Sequence, residues 1–476
     1  MRISAIIPCW NGVEDTRACL QTLQAQRGGF DLEILVVDNA SEDATPSLDR
    51  EFPGVRVLRQ PRNLGFAGGV NQGLAHATGE LFLVLNNDTL AAEDLLERLL
   101  AALRGDERLG MVAPVSNHVK GPQRVAVGDR GLDARGRAAV AAELARSCGG
   151  IVEDASTLAG LCWLLPRDTW QRLGPLDDRF GIGNYEDDDY CLRARLAGMR
   201  LGIVRDAFLH HHGHRTFRAL GVDYGQVLAE RGRIFAGKWQ DDPAARALAA
   251  EQAGEHLAAE HWARLGLGRH PAWVDGPLLL ANAAALRGDV AAARAHLRHF
   301  RAACPNLPRA LALEARLRLE AREFEAAEAA LAELFVRTHP EPGLAAATLA
   351  HFARVHLDAG RLEDAERHVG WLRELDPGRA DAANLQGALH LARGAFAAAA
   401  DSFAAAHRGG DPDALTNLGI ALWRLGRTAE ALQAATRAAA RAAAAGPARA
   451  NLGAMADALE RAGHAVPEPV RRALAR

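Results

Sequence analysis

Leu32-Glu33-Ile34-Leu35-Val36-Val37-Asp38-Asn39-Ala40-Ser41-Glu42-Asp43 is the stretch on which the fold turns. An aliphatic run ends abruptly in an acid, an amide and several turn formers, as when a buried strand stops and a carboxylate emerges from it. Asp38 is placed there to accept the N–H of a nucleobase, or simply to cap the segment that follows. Strand-like runs recur at residues 3–8, 55–59, 81–86 and 111–115, and helical segments near residues 13–26, 67–77 and 92–104 lie between them. Strands alternating with helices long enough to cross over predict an α/β domain with a mostly parallel sheet. Such sheets bind ligands beyond the carboxyl ends of their strands, so the residues after each run are the candidates for chemistry.

Ile6-Ile7-Pro8-Cys9-Trp10-Asn11-Gly12 carries the first run into a turn, for which Asn11-Gly12 is an ordinary turn signal. Asn63-Leu64-Gly65-Phe66-Ala67-Gly68-Gly69-Val70-Asn71-Gln72-Gly73 enters a helix with the small residues that a close-lying phosphate or sugar requires. Its glycines lack the spacing of the dinucleotide fingerprint, which argues against a nicotinamide enzyme. Leu83-Val84-Leu85-Asn86-Asn87-Asp88 ends a hydrophobic strand in two amides and a carboxylate. A hard cation takes oxygen ligands and keeps waters and phosphates as partners, so one carboxylate suffices to place it; a helix cap at Asp88 is the plainer alternative.

Further on, Glu186-Asp187-Asp188-Asp189 sets four acids side by side. Acids favour a helix start, and Asp189 with Arg193 forms an i,i+4 pair on a helix ending near Gly198. Four adjacent carboxylates exceed that need, and their repulsion raises the proton affinity of one of them. Asp189 has its partner and Glu186 lies at the turn, which leaves Asp187 to face a cleft. His210-His211-His212-Gly213-His214 follows the strand-like residues 201–204 and offers imidazoles to a metal.

After Asp241-Asp242-Pro243 the strand-like runs stop and Ala, Leu, Arg and Glu dominate. Turn signals recur at Arg287-Gly288-Asp289, Ala321-Arg322-Glu323, Ala359-Gly360-Arg361, Arg393-Gly394-Ala395 and Leu425-Gly426-Arg427, at steps of roughly 32 to 38 residues, with prolines at 305, 340, 377 and 412. That period predicts stacked helix pairs. The copy Asn417-Leu418-Gly419-Ile420-Ala421-Leu422, then Gly426 and Ala429-Glu430-Ala431-Leu432, resembles the tetratricopeptide (TPR) repeat. The expected organisation is an α/β domain at 1–240, a helical connector at 241–276 and an all-α superhelical stack of about five TPR-like units plus a terminal helix at 277–476.

Lys and Arg number 56 against 59 Asp and Glu, a net charge of -3, which gives no global reason to expect nucleic acid as a partner. The six cysteines are scattered without paired spacing, and the chain opens on a strand rather than a secretory signal. No apolar run approaches the ~20 residues of a transmembrane segment. The expectation is a cytoplasmic protein, with any membrane association peripheral and at the inner face.

In their order, these clusters resemble the inverting glycosyltransferases of family 2, which have the Rossmann-like GT-A fold, over residues 1–240. The resemblance is nearest the bacterial rhamnosyltransferase-like branch, through Val36-Val37-Asp38-Asn39-Ala40-Ser41 and Asn63-Leu64-Gly65-Phe66-Ala67-Gly68-Gly69. It implies a hexosyl- or deoxyhexosyltransferase using a UDP- or dTDP-linked nucleotide sugar and a divalent cation, Mn2+ or Mg2+. Asp38 and the backbone around Pro8 match the base pocket, and Asn11, Asn63, Gly65, Asn71 and Asn87 complete the candidate nucleotide-sugar residues. Asp88 matches the end of the Asp-x-Asp metal motif, whose first acid is here Asn86. His211 is the best match to a metal-binding histidine, with His210 and His212 as alternatives. Asp187 matches the catalytic base, and Glu186, Asp189 and Arg193 are acceptor-side or supporting. The expected acceptor is a glycan or a protein, for which the repeats offer a holding surface. Two other readings stand beside this one: a nucleotidyltransferase, for which residues 11–17 lack the basic glycine-rich loop, and an adaptor with an inactive transferase domain.

Overall fold

The computed structural model describes residues 1–128, 133–213, 223–441 and 446–475. The chain forms two compact units, one of Met1–Leu317 with Glu328–His339 and one of Arg318–Ala327 with Pro340–Arg476.

The first unit is built on a nine-stranded sheet of order β3-β2-β1-β4-β8-β6-β9-β5, with β7 added on β9. The strands are β1 (Arg2–Cys9), β2 (Asp31–Asp38), β3 (Val55–Arg59), β4 (Leu81–Leu85), β5 (Thr89–Ala91), β6 (Leu109–Ser116), β7 (Val152–Ala155), β8 (Cys162–Pro166) and β9 (Arg200–His211). Side chains alternate along each strand, so two apolar layers arise from one sheet. Ile3, Ala5 and Ile7 face Leu20 and Leu23 of the helix Val13–Gln24 and Leu96 and Leu99 of the helix Leu95–Gly105. Ile6, Val37 and Val84 face Val70 and Leu74 of the helix Gly65–His76 on the other side. Gly73 permits that approach, since a Cβ there would lie 2.3 Å from Ile6 Cγ2.

The expected mostly parallel sheet is mixed. β1, β2, β3 and β4 run parallel, as do β6 and β9, but β8 runs antiparallel to β4 and β6, and β5 and β7 run antiparallel to β9. The extra strands are short, and β7 reads Val-Glu-Asp-Ala, two acids where pattern reading expects apolar residues. Those acids are buried but bonded. Arg200 Nε donates to Asp154 Oδ1 at 2.8 Å, Asn306 N to Asp154 Oδ2 at 2.7 Å and His339 N to Glu153 Oε2 at 2.7 Å.

All the described residues after β9 that form regular elements are helical. The helices Pro243–Gln252, His256–Arg269, Gly276–Leu286 and Val290–Ala303 belong to the same compact unit as the sheet. The junction centres on Arg195, 1% exposed, whose guanidinium meets both oxygens of buried Asp275 and donates to Cys304 Sγ at 3.2 Å. In the second unit, helical hairpins such as Ala380–Ala392 with Phe396–Arg408, and Ala414–Arg424 with Thr428–Ala439, turn at Gly394 and Gly426, both at φ 75°. Only glycine adopts that conformation freely at a helix end. Pairs of this period are compatible with TPR-like repeats. No helix among the described residues is long and apolar enough to cross a membrane.

Removing one partner of a buried ion pair strands the other charge, at a cost of about 3–5 kcal/mol. Asp275→Ala is therefore expected to lower the melting temperature of the first unit sharply, read by differential scanning calorimetry; a melt like that of the unaltered protein would refute the role of this pair.

Candidate active site

A cleft of about 730 Å³ opens where β1, β4, β6 and β9 end. Of the candidate residues, Pro8, Asn63, Gly65, Asn87, Asp88, Glu186, Asp187 and His211 line it. Asn11, Asp38, Asn71, Asp189 and Arg193 stand behind the wall, each tied to backbone or to a counter-charge.

The tertiary partners explain that division. Asn11 Oδ1 accepts from Glu42 N at 2.8 Å, joining the turns after β1 and β2. Asp38, wholly buried, accepts from Ser41 N at 2.8 Å and pairs with the Arg59 guanidinium. Asn71 exchanges two bonds with the Leu176 backbone, at 2.8 and 2.9 Å. Gly65, at φ 73°, starts its helix directly against the loop at Gly181, where a Cβ would fall 2.0 Å from the Gly181 oxygen. Asp189 is held by Arg193 Nε at 3.0 Å, Lys238 Nζ at 2.6 Å and Trp239 Nε1 at 2.9 Å. Arg193 also donates to Leu173 O at 2.8 Å.

Asp88 and His211 meet because β5 pairs antiparallel with β9, setting Thr89 opposite His211. His211 Nε2 lies 3.2 Å from Asp88 Oδ1. His211 Nδ1 is 2.8 Å from the His118 carbonyl oxygen, and the Asn117 amide bonds the His211 backbone at 2.9 and 3.2 Å. A carbonyl on one ring nitrogen orients the other toward a ligand. Burial works against charge on His211, yet Asp88 raises its pKa, and the same contact lowers that of Asp88. Adjacent ligands of an octahedral ion at about 2.1 Å are about 3.0 Å apart, so this pair fits the donor set of one divalent cation. His210 is buried away from the cleft, its pKa pushed down to about 4 by burial and His212, and His212 donates its N–H to Asp88 O at 3.1 Å. His214 lies outside the described residues.

The acids enter from the helix Glu186–Leu196, whose first turn follows two left-handed non-glycine residues, Asn184 at φ 77° and Tyr185 at φ 70°. Asp187 Oδ2 accepts from Gly160 N and Oδ1 from Asp188 N, both at 3.0 Å. Burial raises the proton affinity of Glu186, Asp187 and Asp188, and the charge on Asp187 adds to the effect at its two neighbours. Asp188 is pushed up to about 7. Sequence reasoning overlooked Asn117, His118, Lys120, Arg124 and Tyr224 in the cleft wall. The first four follow the carboxyl end of β6, so the strand-end rule itself pointed to them.

With this geometry in view, residues 4–130 match the family model of glycosyl transferase family 2. This stretch is a family 2 glycosyltransferase domain. The uncharacterized glycosyltransferase YfnE of Bacillus subtilis is 35% identical over 113 residues, 23% of this chain and 29% of the relative. The dolichol-phosphate mannosyltransferase of Pyrococcus furiosus is 29% identical over 125 residues, 25% of this chain and 34% of the relative. The chain thus spans about a third of the length of these curated relatives. Among solved structures, S. aureus TarS 1-349 in complex with UDP-GlcNAc is 16% identical with a TM-score of 0.37, over 71% of this chain and 90% of that one. GalNAc-T7 with UDP, GalNAc and Mn2+ is 15% identical with a TM-score of 0.35, over 44% of each chain. The sheet of the first unit joins a Rossmann-like parallel half, β3-β2-β1-β4, to a mixed half, and the matched residues 4–130 supply the parallel half.

A carboxyl whose pKa is raised in the folded state holds its proton there after the unfolded chain has lost it, so stability falls as pH rises from the ordinary carboxylate range through about 7. Asp188→Asn removes that contribution. The variant is expected to gain stability relative to the unaltered protein on going from pH 5 to pH 8, measured by urea unfolding; a difference independent of pH would contradict the raised pKa.

Proposed function

We propose that the protein is an inverting glycosyltransferase that moves a sugar from a UDP- or dTDP-linked donor to a hydroxyl of a glycan or protein acceptor. The observation that carries this reading is a single cleft in which Asp187, a half-buried carboxyl of raised proton affinity, shares the wall with the Asp88–His211 pair.

Asp187 is the catalytic base. Gly160 N and Asp188 N orient its carboxylate, and its raised proton affinity suits it to take the proton from an attacking hydroxyl. That oxygen forms a bond to the anomeric carbon as the bond to the diphosphate breaks, so one displacement inverts the stereocentre and no nucleophilic side chain is required. Lys120 and Arg124, cations on the cleft wall, face the anionic leaving group. A divalent cation, Mn2+ or Mg2+, held by Asp88 and His211 supplies neutralisation of the charge growing on the diphosphate. Asp38, behind the wall with Arg59 and Ser41, shapes the nucleoside end of the pocket together with Asn11. The hairpins of the second unit serve to hold the acceptor or its carrier.

Asp187→Asn keeps shape and removes basicity, so kcat is expected to fall by about 10²–10⁴ while the donor KM holds. Near-normal turnover in this variant, with Asp188→Asn inactive, would move the base by one residue. Asp88→Ala is expected to abolish the Mn2+-dependent part of UDP affinity in calorimetry; equal affinity with and without chelator in both proteins would remove Asp88 from the metal site.

A further inference from the structure

Two polar atoms in the cleft have no hydrogen-bond partner among the described residues, Asn184 Nδ2 and Glu186 Oε2. Both are buried, both residues line the cleft and precede Asp187 in the chain, and the Glu186 and Asp187 carboxyls lie beside the same residue, Gly160. Glu186 is 5% exposed. Buried polar groups of folded proteins are nearly always paired, and an unpaired one raises the free energy unless a ligand satisfies it. The Tyr224 hydroxyl donates to Asn184 Oδ1 at 3.0 Å, which fixes the amide with its NH2 directed elsewhere. The left-handed backbone at Asn184 and Tyr185 adds a second sign, since strain of this kind persists where the surrounding structure holds it for a purpose.

We propose that Asn184 and Glu186 recognise a second hydroxyl next to the one from which Asp187 takes its proton, so that the acceptor is a saccharide or similar polyol and not an isolated serine, threonine or tyrosine. The proposal rests on Asp187 being the base. A hydroxyl both accepts and donates, so one such group takes the N–H of Asn184 and gives its own to Glu186. A sugar ring places it on the carbon beside the one that bears the attacking hydroxyl, whereas a serine side chain has only the hydroxyl that reacts. Burial and the charges of Asp187 and Asp188 hold the pKa of Glu186 well above the usual carboxylate range. Its carboxyl therefore adds no further full charge beside the base. The donor sugar carries hydroxyls too, but Asn184 and Glu186 belong to the same turn and helix start as Asp187, which acts on the acceptor.

The test uses the full chain with the nucleotide sugar it turns over, and p-nitrophenyl glycosides as acceptors. Each glycoside is compared with analogues lacking one ring hydroxyl and with serine- and threonine-containing peptides. Asn184→Gly keeps the left-handed backbone and removes the donor, and Glu186→Met removes the acceptor at similar volume. The unaltered enzyme is expected to prefer one parent glycoside over a deoxy analogue by about 10- to 100-fold in kcat/KM, with the preference lost in both variants through acceptor KM. If Glu186→Met does not fold, Asn184→Gly decides alone. Preference retained in the variants, a rise in donor KM in place of acceptor KM, or transfer to the peptides or to none of the glycosides overturns the proposal. An inactive Asp187→Asn beside an Asn184→Gly that keeps its preference sinks this inference only; an active Asp187→Asn sinks the base assignment with it.

Discussion

Four carboxyls in succession at the buried start of one helix repel each other, and much of the first unit serves to hold them. The helix dipole favours negative charge at that end, but only in its first turn, and it does not offset the burial of several acids at once. Asp189 is neutralised outright by Arg193 and Lys238, and it accepts from Trp239. The other three retain their protons to higher pH than usual. Structural ion pairing thus occupies one acid, while desolvation prepares the others for proton chemistry.

The same helix explains why helical segments far along the chain share a compact unit with the sheet. Its other end carries Arg195, buried with Asp275 and Cys304. β7 presents Glu153 and Asp154, which bond to the backbone of His339 and Asn306. An arginine or carboxylate buried at the sheet requires partners, and residues from the helical part of the chain supply them. The helices up to Cys304 consequently contribute to the stability of the element that carries Asp187.

Much of this organisation was legible in the sequence because it rests on local periodicity. Residues 32–38 and 81–86 are apolar runs that end in polar residues as buried strands must, and the glycines 394 and 426 mark hairpin turns since left-handed φ excludes most other residues. The i,i+4 relation of Asp189 and Arg193 follows from helix geometry alone. β7 escaped notice because its acids are stabilised by residues as distant as Asn306 and His339, and nothing local reveals such partners.

By itself the sequence determined the fold class, the change of texture near residue 240 and the strand ends that carry chemistry, since these follow from near-neighbour sterics and hydrophobic spacing. Tertiary structure decided which of those residues face the cleft. Asp38, Asn11 and Asn71 look as exposed in sequence as Asp88, yet long-range bonds to Arg59, Glu42 and Leu176 turn them into the wall. The His211 ring reaches the Asp88 carboxylate because cross-strand register sets Thr89 opposite His211. Burial and electrostatics depend on every group packed around a site, and only the folded chain assembles that surrounding.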